Sequence, residues 1–335
     1  MSARSSSPGQ RRATILDVAA AAGVSRQTVT RAMNGMPGIS QATRERVQRL
    51  AAELGYTPSR FARGLVQGAN VSVGLAIPDL TNPYFPAFAS SVVEEATQRG
   101  WNVVVDDYGH GAGSALDSAG RLAPQVDALI GYLGEHSRAA QAIMGRRPVV
   151  GLDDPQAEAA GSISFDYAHA ARLGLGHLAE DRRRRVVFLD SDQGGIAAGR
   201  GHAVEAAARE RDIRLQQIAS GPSAAEARRA VTDLLAAAPD VDAILVFNDL
   251  MAAGVLKALS EGKRAVPRDV AVIGMDGIPL GELLTPELTT LSLDLRSVGR
   301  AAVGLLDGLL SGAVEAGSSA AALTLRHELV IRQSA

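Results

Sequence analysis

The sequence has no cysteine, which excludes disulfides, thiolate catalysis and Cys-ligated zinc. Its six histidines are scattered without the spacing of a metal site, so neither a metal nor a cofactor is expected. Aromatic residues are scarce at 4%, too few for the strands of an all-β sandwich, which favour them. No run of 18 apolar residues occurs anywhere, so no spanning helix is expected. The polar, basic start MSARSSSPGQRR is not followed by the apolar stretch of a signal peptide. A soluble, cytoplasmic protein is the resulting expectation.

Glycine, by contrast, is plentiful at 35 residues in a chain that is 46% hydrophobic and 21% charged. That balance fits Ala/Gly/Val-rich α/β cores and excludes disorder, and 335 residues exceed one typical core, so two or three domains are expected. Charge is unevenly spread. Residues 1–70 hold ten arginines and no lysine against Asp17, Glu45 and Glu53, a formal +7, which leaves −9 for the remainder. A basic module on an acidic body is the footprint of a nucleic-acid reader attached to something that does not touch nucleic acid; a solvated basic tail would show the same charge.

Thr14 precedes an apolar-periodic run of Ile15, Val18, Ala19 and Ala22, with Asp17 three residues on, a start like a capping box. Gly23 ends this helix, and Ser25 caps a second short one from Arg26 to Met33. Val18, Ala22, Val24, Val29 and Met33 then face inward as in a helix-turn-helix, leaving Arg26, Gln27, Thr30 and Arg31 partly outward. Arg offers paired donors to guanine O6 and N7 and Gln pairs with adenine, so this face has the chemistry to read a major groove. A small helical bundle with a polar face has the same periodicity. Ser40 caps a third helix, with Thr43 at its third position and Arg44 to Leu54 continuing to Gly55.

The ordered strings Thr14-Ile15-Leu16-Asp17-Val18-Ala19, Ala22-Gly23-Val24-Ser25, Thr28-Val29-Thr30-Arg31, Asn34-Gly35, Thr43-Arg44-Glu45-Arg46-Val47 and Leu54-Gly55-Tyr56-Thr57-Pro58 resemble the lactose/galactose repressor family. The resemblance implies that Arg26, Gln27 and Arg31 read bases, while Thr14, Ser25, Thr28, Asn34 and Thr43 meet phosphates. After Pro58, the stretch Ser59 to Leu65 is too short to be a stable helix alone, and Gly64 weakens it by about 1 kcal/mol relative to Ala. It is similar to the family's hinge helix, which implies ordering on operator DNA with Leu65, beside Ala62, wedged into the minor groove. A linker leucine packed on the next domain is the alternative.

From Val71 onward, apolar runs alternate with helical stretches. They read VSVGLAI, helix 86–99, NVVVD, helix 114–122, ALIGYL, helix 138–145 and PVVGLD. A second series follows: ISF at 163–165, helix 167–179, VVFLD, helix 200–211, QQIA, helix 224–237, AILVF, helix 249–261 and VAVIGM. This pattern predicts two doubly wound parallel sheets. Ligands of such sheets lie beyond the carboxyl ends of the strands. The residues there are polar: Asp79 to Phe85 after the first strand, Ser191 and Asp192 with Arg200 beyond, Asn248-Asp249, and Asp276-Gly277. Asp and Asn pair with sugar hydroxyls, Arg holds vicinal oxygens, and Tyr84 and Phe85 offer stacking faces. Asp or Asn after a strand is also a common helix N-cap, so either role fits Asn248 and Asp249.

The body resembles the same family, whose regulatory portion is like the periplasmic sugar-binding proteins, in Asp79-Leu80-Thr81-Asn82-Pro83-Tyr84-Phe85, Phe247 to Ala252, Val272 to Pro279 and Leu284 to Thr290. That resemblance, spanning about residues 13–334, implies effector contacts at Asp79, Tyr84, Phe85, Arg200, Asn248 and Asp276. It further implies a tail at 1–12, a DNA-binding domain at 13–57, a hinge at 58–69 and a ligand-binding, dimerising domain at 70–335. Three crossovers near 164, 293 and 321 would divide that last domain into subdomains of about 70–163 with 294–320, and 164–292 with 322–335. Departures from the family pattern are Asp276-Gly277, the Gly-rich stretch 106–125, and Arg182 to Arg185, which reads as a solvated turn at a helix end.

The expected function is a repressor that binds palindromic operator DNA as a homodimer and responds to a small molecule, a sugar in preference to a nucleobase. An enzyme on the same sheets is the first alternative, but Pro78-Asp79 follows the first strand instead of G-x-G-x-x-G, Gly109 to Gly113 has the wrong spacing, and no G-x-x-x-x-G-K-[ST] or G-x-S-x-G occurs. A transport-type solute receptor is the second, and the basic module speaks against it.

Overall fold

Apolar spacing at the N-terminal end closes three short helices around one small core. The computed structural model describes residues 15–33, 36–54, 71–109, 114–154, 156, 158–191 and 196–335. The chain divides into two units, Met1–Val71 and Ser72–Ala335. In the first, α1 (Ile15–Ala22), α2 (Arg26–Met33) and α3 (Gln41–Glu53) bury Val18, Ala22, Val29, Ala32, Val47 and Ala51 against one another. Gly23 takes φ +62°, a left-handed conformation that lets α1 stop and the chain turn at once into α2. Thr14, Asn34, Ala62 and Leu65, with the expected tail and hinge segments, lie outside the described residues.

The second unit holds two six-stranded sheets. Its elements run β1 (Ser72–Ile77), α4 (Tyr84–Gln98), β2 (Asn102–Asp107), α5 (Ala115–Leu122), β3 (Ala128–Gly131), α6 (Ser137–Met144), β4 (Val149–Leu152) and β5 (Gly161–Phe165). Then come α7 (Tyr167–Glu180), β6 (Arg185–Ser191), α8 (Ile196–Arg209), β7 (Arg214–Ser220), α9 (Ala224–Ala237), β8 (Ala243–Val246), α10 (Asp249–Glu261), β9 (Ala271–Asp276) and α11 (Leu280–Leu283). The last are β10 (Thr289–Ser292), α12 (Leu295–Ser311), β11 (Ala322–Leu325) and β12 (Glu328–Val330).

One sheet has the order β11-β5-β4-β3-β1-β2 and the other β12-β10-β9-β8-β6-β7. Pairing is parallel except at the edge β10–β12, where the strands are antiparallel. The central strands β1, β3, β4, β8 and β9 are buried along their whole length, as parallel strands covered on both faces must be. On the second sheet, Val187, Ile244 and Val272 pack under α9 and α10, while Phe188, Leu245 and Ile273 pack under α7 and α8.

The chain crosses between the sheets three times. Asp166 joins β5 to α7, and Leu293 with Asp294 joins β10 to α12. The third crossing falls at Arg326 and His327, not near 321: Ala322–Leu325 pairs residue for residue with Ser162–Phe165, so β11 is an edge strand of the first sheet. The arginine run also differs from a solvated turn. Arg182, Arg184 and Arg185 are exposed, but Arg183 turns inward and donates to the carbonyls of Asp242, Pro267 and Arg268. Its neighbours' backbone N–H groups end on the Asp242 carboxylate, so the run staples three loops.

Candidate functional site

Two sites emerge, one in each unit. In the N-terminal unit, Ser25 Oγ accepts the Thr28 N–H at 3.1 Å and Ser40 Oγ accepts the Thr43 N–H at 3.2 Å, which caps α2 and α3. In each pair the two hydroxyls also touch, at 3.0 and 2.8 Å. Two helix N-termini therefore present hydroxyls beside unsatisfied backbone N–H groups, an arrangement suited to phosphate. Arg26 and Gln27 are exposed on the first turn of α2, and Arg31 is half-buried on its last. Arg44, by contrast, spends a guanidinium N–H on the Met36 carbonyl, at 2.7 Å.

In the body, strand ends deliver the chemistry. Arg200 on α8 is largely enclosed, its side chain 11% exposed, with its guanidinium carbon 5.0 Å from the Tyr167 ring centroid and 4.2 Å from that of Phe247. Its Nη1 donates to the Phe247 carbonyl at 2.6 Å and lies 3.8 Å from Asp276 Oδ1. Its Nε is buried with no hydrogen-bond partner among the described residues. Burial alone would lower this guanidinium's pKa, but Tyr167, Asp276 and Asp153 outweigh burial and raise it, so the charge is firmly kept.

Asp276 ends β9 at φ +113°, with Gly277 following at φ +76°. This is strained backbone, and a Cβ at Gly277 would fall 2.0 Å from Ser292 Oγ. The turn is held by Asp249, whose carboxylate accepts the N–H groups of Gly277 (2.8 Å) and Ile278 (2.9 Å) and the Thr290 hydroxyl (2.7 Å). Burial pushes the Asp249 carboxyl up to about 7 against those three donors. Burial likewise raises Asp276 well above the carboxylate range; Arg200 opposes the rise, and Asp249 and Asp153 add to it.

From the first sheet, Asp153 follows β4 in the left-handed region at φ +52° and accepts the Tyr167 hydroxyl at 2.6 Å. Burial raises its pKa while Arg200 and the Tyr167 hydrogen bond lower it. The wall is aromatic: the Tyr84 and Tyr132 hydroxyls are 2.6 Å apart, and Phe85 meets both rings edge-on at 5.2 and 5.3 Å. Burial raises the Tyr84 phenol, and Asp276 across the site adds to the rise.

Arg200, Asp276 and Tyr84 thus come together, with Phe85 beside Tyr84. Asn248 is turned to local work, its Oδ1 accepting the Met251 N–H at 2.8 Å as the cap of α10. Asp79 Oδ1 accepts the Thr81 N–H and hydroxyl at 2.7 and 2.6 Å, which closes the loop after β1. The sequence reading missed Asp153, Tyr132, Tyr167 and Phe247. Asp153 stands just past a strand end, the rule that selected Asp276; Tyr167 is recognisable only once the crossing at Asp166 is known.

Residues 14–59 match the family model of bacterial regulatory proteins, lacI family, and residues 175–335 match a periplasmic binding protein-like domain. The ribose operon repressor of Bacillus subtilis is 31% identical, over 89% of this chain and 92% of that protein. The chain belongs to the lacI family of bacterial regulatory proteins. It is a DNA-binding transcription regulator and not an enzyme. A LacI family regulator from Arthrobacter sp. FB24, solved in complex with lactose, is 57% identical with a TM-score of 0.77, covering 79% of this chain and 99% of that one. A lac repressor dimer bound to operator is 27% identical with a TM-score of 0.72, covering 97% and 99%.

Proposed function

We propose that this LacI-family regulator is a cytoplasmic, nucleoid-associated repressor whose homodimer binds a palindromic operator and whose operator affinity is set by a sugar held between the two sheets of the body. The observation that carries the reading is the largely enclosed Arg200–Asp276 pair, with an Arg200 N–H lacking a partner among the described residues and the rings of Tyr167 and Phe247 beside the guanidinium. A donor and an acceptor at that spacing suit a pair of sugar hydroxyls, and rings suit the apolar face of a sugar. Lactose in the 57% identical relative supports a sugar over a nucleobase. Asp79, Tyr84, Phe85 and Asn248 complete the proposed contacts, with Asn248 offering its amide N–H while its oxygen caps α10.

On DNA, Arg26, Gln27 and Arg31 read base edges, and Thr14, Ser25, Thr28, Asn34 and Thr43 hold phosphates. Leu65 with Ala62 enters the minor groove. A ligand that binds one arrangement of the body better than another shifts the hinge by that difference in affinity. The test is Arg200→Ala in full-length protein. It is expected to abolish thermal stabilisation by lactose and the effect of lactose on operator binding, while operator affinity without sugar stays within about twofold. An undiminished response to lactose would place the effector elsewhere.

A further inference from the structure

The charges around Arg200 do not balance. Asp153 feels Arg200 and Asp154; Asp276 feels Arg200, Asp249 and Asp153; and the half-buried Asp190 at the end of β6 feels Arg200 as well. Among the described residues three carboxyl groups thus compete for one guanidinium, and two of them, Asp153 and Asp276, are buried to 7% and 4% exposure, where burial favours their protonated forms.

The guanidinium is also committed. Its carbon lies over the rings of Tyr167 and Phe247, and Nη1 is spent on the Phe247 carbonyl beside Asp276. A phosphate or carboxylate is held well by an Arg that presents two parallel N–H groups, and an oxyanion needs its negative charge matched where water is excluded. Here Nε–H is buried with no partner among the described residues, and the positive charge behind it already faces Asp276 at 3.8 Å, so an oxygen placed there is best neutral.

We propose that the site selects an uncharged polyol and rejects its phosphorylated or carboxylated counterpart, and that Asp153 sets this selectivity. The proposal rests on the reading that the effector binds at Arg200. Asp153 reaches the site from the first sheet, and the Tyr167 hydroxyl fixes its carboxylate, so it brings negative charge to Arg200 whenever the two sheets meet. An anionic ligand can enter only while these carboxyl groups hold their protons, so its binding weakens as pH rises.

The experiment measures binding of lactose and ribose, each beside its phosphate ester, to the full-length protein by calorimetry and thermal shift, at pH 6 and pH 8. The same pairs are applied to Asp153→Asn, a change that keeps the size of the side chain and tolerates a left-handed backbone. In the unaltered protein, the free sugar that binds is expected to bind at least tenfold more tightly than its ester, with the gap widening from pH 6 to pH 8. In Asp153→Asn the gap should shrink severalfold, chiefly because the ester gains. An ester that matches or exceeds its parent sugar overturns the selectivity while leaving the sugar site in place. An unchanged gap in Asp153→Asn, with the variant folded, overturns the role of Asp153. Sugar binding indifferent to Arg200→Ala, or no binding by any member of either pair, removes the site reading itself and this proposal with it.

Discussion

The proposed recognition tasks rest on single side chains, and each can be tested alone. At the DNA end, Arg31→Ala is expected to weaken operator binding by about 1–3 kcal/mol while leaving binding to random duplex nearly unchanged, because a base-edge contact carries sequence information and a phosphate contact does not. Competition binding against both duplexes measures this. In the body, Asp249 makes stability respond to pH. With its native carboxyl raised to about 7, the folded protein holds a proton between roughly pH 4 and 7 that the unfolded chain, with an ordinary carboxylate, has released. Unfolding then releases that proton, so stability falls as pH rises through this window and levels off above it. Asp249→Asn should flatten that slope, as urea midpoints at pH 5.5 and 7.5 would report. Arg200 and Asp276 were legible as polar residues past strand ends. Asp249 fitted either a helix cap or a ligand contact in sequence, and it instead reaches across to hold the Gly277 turn, a partner that no local pattern reveals.

At the scale of elements, close helix contacts fix how the walls of the site are carried. Gly254 of α10 lies against the first residue of α9, where a Cβ would come within 2.0 Å of the Ala224 carbonyl oxygen. Backbone cannot yield as a side-chain tip does, so Gly254→Ala is expected to destabilise the fold by about 1–3 kcal/mol despite its better helix propensity. Chemical denaturation of the full chain measures it. Most strands and helices up to Asp276 were legible, because buried parallel strands read as short apolar runs between amphipathic stretches; α9 and α10 were expected at 224–237 and 249–261, the spans observed. The elements beyond were less so. β11 and β12 are edge strands of three or four residues with no fully buried position, which gives them no continuous apolar signature. That weakness, together with the pairing of β11 to β5, is why the third crossing was expected some five residues early.

The whole molecule joins a basic reader to an acidic receiver, and the two respond differently to salt. Neutralising phosphates releases counterions, so the logarithm of operator affinity is expected to fall linearly with the logarithm of salt concentration, with a slope near −0.9 for each phosphate contacted. Affinity for the proposed sugar effector, probed with lactose, should be almost insensitive to salt, because the proposed contacts are largely enclosed. Measured on one preparation, the two slopes separate the functions of the two units without any mutation. The most direct test of the central claim is to titrate lactose, at fixed salt, into the complex of the full-length protein with a palindromic operator from its own upstream region. A saturable change in operator affinity that vanishes in Arg200→Ala is the predicted result. Specific operator binding that no sugar alters, in a protein that still binds sugar, would contradict the coupling of the two units.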